Sequence, residues 1–302
     1  MEIIKIVPQG LCKGVINAME VVKRAAADPA TKRPIYMLGS LVHNKNIVAA
    51  LSDMGVVILE GKSRLEMLDE VESGTVVFTA HGVSEEVRRK AAEKGLDVID
   101  ATCREVRKSQ ELIKKRLDEG YLVFFFGTKN HPETEAILGL SPAITLISSK
   151  DEIASLSPYA GKLALAIQTT VSYLQARELY QALLNKYPQI ELIEEVCNST
   201  RIRQEAVIKA KGRLDLIIVI GDRHSNNTRM LKEVAETEAG IPAILVESIE
   251  DLKDVDLASY ERIGVTAGAS TPNAIVEEIM EKLPKGDFLS ELRLEDYLSL
   301  KK

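Results

Sequence analysis

No run in this 302-residue chain approaches the roughly 18–20 consecutive apolar residues that a membrane span requires. The N-terminus, Met1-Glu2-Ile3-Ile4-Lys5, passes directly into a strand-like pattern without the regions of a secretory signal. A cytoplasmic protein with no membrane partner is expected. A basic balance is lacking too, since 39 Lys and Arg stand against 45 Asp and Glu, a formal charge of −6. That argues against the broad positive footprint of a nucleic-acid binder but leaves room for a local basic pocket. Cysteine is scarce: three widely spaced residues are an odd number and a poor disulfide framework. No Gly-x-x-x-x-Gly-Lys-Ser/Thr pattern occurs and no Gly-x-Gly-x-x-Gly follows a strand, so nucleotide and dinucleotide binding have little support.

What is present is apolar material for a sizeable interior, 45% of residues, in a chain long enough for two or three domains. Strand-like runs at 2–7, 34–38, 56–59, 75–79, 121–126, 162–167, 214–220, 243–246 and 262–265 are expected. Amphipathic helices are expected between them, at 15–27, 44–54, 85–94, 105–118, 171–186, 201–211, 228–238 and 272–282. This alternation is that of an α/β architecture with mainly parallel sheets, arranged as three similar units.

Cys12, Cys103 and Cys197 divide the chain into near thirds, and each lies where an apolar run gives way to a helix-like segment. The positive end of a helix dipole favours a thiolate there, so the three turns read as one centre, against the alternative of three buried structural thiols. In α/β sheets ligands collect beyond the carboxyl ends of the strands. His43, His81 and His131 each follow a strand in a polar loop, whereas His224, beside Asn226 and Asn227, is expected to face solvent. Two further loops, 221–228 with Ser225, Asn226 and Asn227, and 266–272 with Ser270, precede helices and suit a phosphate group. Together with the histidines they suggest a diphosphate-sized anion. Glu133, in the first turn of a helix opened by Pro132, is the best acid in the set, and Thr169 in Gln168-Thr169-Thr170 offers a hydroxyl to relay a proton. Three thiolates and a histidine would make a closed zinc site. Alternatively, an Fe-S cluster held by three thiolates leaves one iron without a protein thiolate, available to a substrate oxygen.

The fragments Gly10-Leu11-Cys12-Lys13-Gly14-Val15, Val42-His43-Asn44, Ala80-His81-Gly82-Val83-Ser84, Asp100-Ala101-Thr102-Cys103, His131-Pro132-Glu133, Gln168-Thr169-Thr170, Cys197-Asn198-Ser199-Thr200 with Arg203-Gln204, Ser225-Asn226-Asn227 and Val265-Thr266-Ala267-Gly268-Ala269-Ser270 occur in this order. Together they resemble the 4-hydroxy-3-methylbut-2-enyl diphosphate reductase family of the non-mevalonate isoprenoid pathway. The resemblance implies a pseudo-threefold trefoil of α/β domains, 13–102, 103–196 and 197–284, the last completed by the N-terminal strand 1–12, with a peripheral tail 285–302. It implies a central 4Fe-4S cluster on Cys12, Cys103 and Cys197, and removal of the substrate hydroxyl as water to give isopentenyl and dimethylallyl diphosphates. Glu133 with Thr169, beside His131, would deliver the proton. His43, His81, His131, Thr169, Ser225, Asn226, Asn227 and Ser270 would line the diphosphate site, and ferredoxin or flavodoxin would bring electrons. Several residues depart from the family's usual pattern: Gln9 stands for arginine, Leu11 for an aromatic, Ser199 for alanine, Ala136 for glycine, and Arg104 and Arg107 follow Cys103. A reductase for a different anionic allylic alcohol, or a non-catalytic Fe-S or zinc sensor, are the alternatives.

Overall fold

A computed structural model describes residues 1–41, 45–193 and 196–283; the expected tail 285–302 lies outside them. The chain divides into two compact units, one made of Met1–Cys12 and Cys197–Lys302, the other of Lys13–Val196. Three four-stranded sheets carry these units, and every strand pair among the described residues is parallel.

The larger unit holds two sheets. The first comprises four strands that take the whole-chain labels β2 (Ile35–Leu38), β3 (Val56–Leu59), β4 (Thr75–Phe78) and β5 (Asp97–Asp100), since β1 (Glu2–Lys5) precedes them. Their order is β3-β2-β4-β5. Helices α1 (Lys13–Ala27), α2 (Lys45–Asp53), α3 (Arg64–Asp69) and α4 (Glu85–Glu93) accompany this sheet. The second sheet runs β7-β6-β8-β9, from β6 (Leu122–Phe126), β7 (Ile144–Ile147), β8 (Leu163–Ile167) and β9 (Glu191–Leu192), with α5 (Arg104–Asp118), α6 (Pro132–Leu138) and α7 (Tyr173–Lys186).

The smaller unit has one sheet, β1-β12-β10-β11, in which β1 pairs with β12 (Arg262–Ala267), and β10 (Leu216–Ile220) lies between β12 and β11 (Ala243–Val246). Its helices are α8 (Asn198–Lys209), α9 (Asn226–Val234) and α10 (Asn273–Lys282).

The reason for these elements is visible in their burial. Thr-Val-Val-Phe in β4, Leu-Ala-Leu-Ala-Ile in β8 and Leu-Ile-Ile-Val-Ile in β10 are buried at every position, as a parallel sheet covered on both faces demands. The helices show the complementary stripe. In α1 the buried residues Val15, Ala18, Val22 and Ala26 recur at three- and four-residue steps. Ser63, Ser84 and Ser172 cap α3, α4 and α7, the first in a reciprocal capping box with Glu66.

Several boundaries differ from the periodicity-based expectation. Helix α8 starts at Asn198 directly after Cys197, and α9 starts at Asn226, so Asn226 and Asn227 lie in a helical first turn and not in an open loop. Strand β9, two residues long, and helix α3, six residues long, are too short for periodicity to announce, and β5 and β7 are not among the expected runs. Among the described residues no helix is long and apolar enough to cross a membrane.

Phe125 in β6 is fully buried, packed with Ile113, Val123, Ile137, Ile144 and Ala166. Phe125→Ala is expected to destabilise the larger unit by about 3–5 kcal/mol, measured by denaturant unfolding against the wild type.

Candidate active site

The polar residues singled out in the sequence occupy the carboxyl ends of the parallel strands, where loops leave the covered sheet. In the larger unit, His81 follows β4, His131 follows β6 and Thr169 follows β8. His43 lies outside the described residues.

His131 is the N-cap of α6, and its Nδ1 accepts a hydrogen bond from the Glu133 backbone N–H at 3.1 Å. Pro132 at the first helical position is pre-set for this turn. Because Nδ1 is the acceptor, the proton of neutral His131 resides on Nε2, which becomes a donor. The His81 ring meets His131 edge-on with centroids 5.2 Å apart. Ligand atoms of His81, His131 and Glu133 all lie within 4.8 Å of one another, close enough for one small ion or one phosphate oxygen to touch them.

Glu133 is 1% exposed. Its Oε1 accepts the Thr169 backbone N–H at 2.8 Å and its Oε2 accepts the Thr169 hydroxyl at 2.7 Å. Burial pushes the carboxyl up from 4.5 to about 7, against the two Thr169 bonds, which favour the charged form. Half-protonated near neutrality and bonded to a hydroxyl, Glu133 is suited to give or take a proton.

Gln168 ties together the turns on either side of this pair. Its Oε1 accepts the Thr128 N–H at 2.7 Å and the Thr134 hydroxyl at 3.2 Å, while its amide nitrogen donates to the Thr170 hydroxyl at 2.8 Å. Gly127 lies against the same group, and a Cβ there would stand 3.0 Å from Gln168 Oε1 and 2.9 Å from the Thr134 hydroxyl.

Cys103 belongs to this unit and is the N-cap of α5, with its backbone N–H donating to the Ala80 carbonyl at 3.0 Å, one residue before His81. The thiol and His81 turns are thereby tied together. Arg104 and Arg107 are exposed, and Arg107 faces Asp100 at 3.6 Å. Ala136 is a buried interior residue of α6.

The smaller unit gathers the remaining candidates. Cys12 immediately precedes α1, and its backbone N–H donates to the Ala269 carbonyl at 3.0 Å. Cys197 is the N-cap of α8. Ser, Thr or Asp at an N-cap ordinarily bonds the helix amides, but neither Cys103 nor Cys197 makes a side-chain cap bond. None of the three cysteines is in a disulfide.

Ser225 and Ser270 share a 2.8 Å hydroxyl–hydroxyl bond, and both are buried. Asn227 accepts from the Thr200 hydroxyl at 3.2 Å, which joins the start of α9 to the start of α8. Asn226 is buried and its Oδ1 accepts from Arg229 at 3.3 Å. His224 is exposed, as its polar surroundings in the sequence suggest.

The importance of Arg203 lies beyond its place in a motif and is not readable from sequence spacing. It is 5% exposed, donates Nη2 to the Gly10 carbonyl at 2.8 Å and Nη1 to the Ser199 carbonyl at 2.8 Å and the Ser199 hydroxyl at 2.6 Å. Burial lowers its pKa, while the charges of Cys12 and Cys197 act in the opposite direction. A guanidinium thus links the two cysteine turns of this unit, and Ser199 gives it an acceptor that alanine would not. Gly10 adopts φ +75, and a Cβ there would collide with the Asn273 side chain, so that turn requires glycine.

Within this unit, two thiols around one buried cation offer donors that suit thiolate ligation of a metal.

The family model described as LytB protein matches residues 3–284. A 4-hydroxy-3-methylbut-2-enyl diphosphate reductase of Bacillus velezensis is 44% identical, covering 100% of this chain and 97% of its own. The Geobacillus thermodenitrificans protein of the same name is 42% identical over 95% of this chain and 91% of its own. Among solved structures, the E-1-hydroxy-2-methyl-but-2-enyl-4-diphosphate reductase of Plasmodium falciparum matches with TM-score 0.87 and 30% identity, over 96% of this chain and 90% of that one. A second solved reductase, described as the terminal enzyme of the non-mevalonate pathway, matches with TM-score 0.64 and 30% identity over 93% and 98%. With the family model spanning residues 3–284 and relatives at 42% and 44% identity along their length, the chain belongs to the LytB family.

Proposed function

We propose that this chain is a 4-hydroxy-3-methylbut-2-enyl diphosphate reductase, converting its substrate to isopentenyl and dimethylallyl diphosphates. The observation that carries the reading is the buried Glu133–Thr169 pair beside His131 and His81, a proton source set against an anion site. The overall change breaks one carbon–oxygen bond, consumes two electrons and two protons, and releases water.

Cys12, Cys103 and Cys197 would hold a 4Fe-4S cluster, which when bound supplies electrons and an iron without a protein thiolate that acts as a Lewis acid. Ferredoxin or flavodoxin is the electron donor in this reading. In this reading the chain is divided into domains 13–102, 103–196 and 197–284, the last completed by 1–12, and the presence of three four-stranded sheets supports it.

The chain's own residues divide the remaining work. His81 and His131, joined by His43, Thr169, Ser225, Asn226, Asn227 and Ser270, bind the diphosphate by hydrogen bonds to its oxygens. His131 Nε2–H is one such donor, because Nδ1 is engaged by the helix. Glu133 delivers a proton through its carboxyl, and the Thr169 hydroxyl fixes that carboxyl and relays the proton. Gln168 keeps Thr169 in register. Burial supplies the driving force, since a carboxyl held near 7 retains its proton at neutral pH and releases it readily.

Anaerobically reconstituted protein is expected to be brown, with iron and sulfide, and to turn over the hydroxymethylbutenyl diphosphate with dithionite-reduced viologen. A colourless protein with stoichiometric zinc would overturn the cluster, and a cluster-replete sample without turnover would overturn the substrate. Glu133→Gln is expected to keep the cluster spectrum and lose roughly 10²–10⁴-fold in kcat; an unchanged rate removes Glu133 from the proton path.

The same residue makes a stability test. Its folded pKa, about 7, is raised above the ordinary 4.5, so the native state binds the proton more tightly. The associated stability is present below the unfolded value and is lost as pH rises through about 7. Between pH 5 and pH 8 the wild type should lose on the order of 2–3 kcal/mol relative to Glu133→Gln, read from parallel denaturant titrations of the two proteins.

A further inference from the structure

Arg64 is not among the residues that the sequence motifs single out, yet among the described residues it is the one arginine of the larger unit that is buried, at 9% exposure. It opens α3, and its side chain leaves that helix for the carboxyl ends of the strands. Nη2 donates to the Thr79 hydroxyl at 3.2 Å, and Nη1 stands 3.6 Å from Glu135 Oε2. A Cβ on Gly39, just after β2, would lie 3.8 Å from Nη2.

Both partners are close in the chain to the candidate site. Thr79 is two residues before His81. Glu135 is in the first turn of α6, and its backbone N–H donates to the His131 carbonyl at 3.0 Å. One guanidinium therefore touches the strand end that carries His81 and the helical turn that carries His131 and Glu133.

The pairing is poor for a structural ion pair. A buried arginine held for stability takes a close, bidentate carboxylate. Here the carboxylate is at 3.6 Å on a side chain that is 51% exposed, and Nε, buried, makes no hydrogen bond among the described residues. Burial lowers the pKa of Arg64 and Glu135 raises it, but a guanidinium stays protonated in proteins. The result is a fixed positive charge, incompletely neutralised, in low-dielectric surroundings next to the histidine turns.

We infer that Arg64 is a positioning residue for anion binding: it holds the His81 and His131 turns together and supplies the buried positive charge that draws a diphosphate to them. The inference rests on the proposed diphosphate site at those histidines. Glu135 is then the brake on that charge, so removal of the two partners should act in opposite directions.

The test is calorimetric titration of the reconstituted holoenzyme with inorganic pyrophosphate, for wild type, Arg64→Gln, Arg64→Lys, Glu135→Gln and the double variant. Arg64→Gln should weaken binding roughly tenfold and raise KM with kcat little changed, while Arg64→Lys, which keeps the charge, recovers part of the loss. Glu135→Gln should tighten binding by about two- to fivefold in the presence of Arg64 and have little effect in its absence. Cluster absorbance and thermal unfolding report whether each variant folds, and Glu135→Gln carries the test if Arg64→Gln does not. Pyrophosphate affinity within twofold of wild type in folded Arg64→Gln, or weakened binding in Glu135→Gln, overturns the inference. Failure of the underlying reading looks different: wild type would not bind pyrophosphate, or would bind it equally well after His81→Ala.

Discussion

Parallel sheets buried on both faces leave little room for polar chemistry along their strands, and the polar residues of the candidate site are displaced beyond their carboxyl ends as a result. β4, β8 and β10 contain no exposed position. The polarity that the strands exclude appears two to five residues beyond them, as His81, Thr169 and Ser225. The same covering that makes the sheets stable makes their ends dry, and a dry polar group is held strongly by its partners or pushed strongly off its ordinary pKa.

Glu133 shows how these tendencies compete. Its place in the first turn of a helix and its two bonds from Thr169 all favour the carboxylate. Complete burial favours the acid and prevails by enough to bring the group to about 7. Were burial the only influence, the carboxyl would hold its proton too tightly to release it; with the bonds alone it would be ionised and have none to give. Gln168 donates and accepts in one small network with Thr128, Thr134 and Thr170, and so supports the turn next to Thr169 without adding charge.

Much of this was legible in the chain. Alternating apolar runs and amphipathic segments convey the α/β class because the 2.0 and 3.6 periods reflect which faces are covered. The cysteine turns at residues 103 and 197 could be placed near helix starts because an apolar run gives way there to a helix-like segment. Less legible were contacts that depend on long side chains. Nothing in the spacing of Arg203 says that it reaches Gly10, and nothing near Arg64 says that it joins Thr79 to Glu135. Such reach is set by tertiary packing, which sequence periodicity does not encode. Short edge strands such as β9, two residues long, escape for a simpler reason: they contain less than one clear period.

The smaller sheet is built from both ends of the described chain, β1 pairing with β12 from Glu2↔Arg262 to Lys5↔Val265. Cys12 is held through that arrangement, by Ala269 just past β12 and by Arg203 through Gly10. During synthesis β1 leaves the ribosome long before β12 and must therefore wait, unpaired, for it. Its thiol turn takes shape only once translation has passed β12, so Cys12 stays outside its folded setting throughout the synthesis of the residues between the two strands.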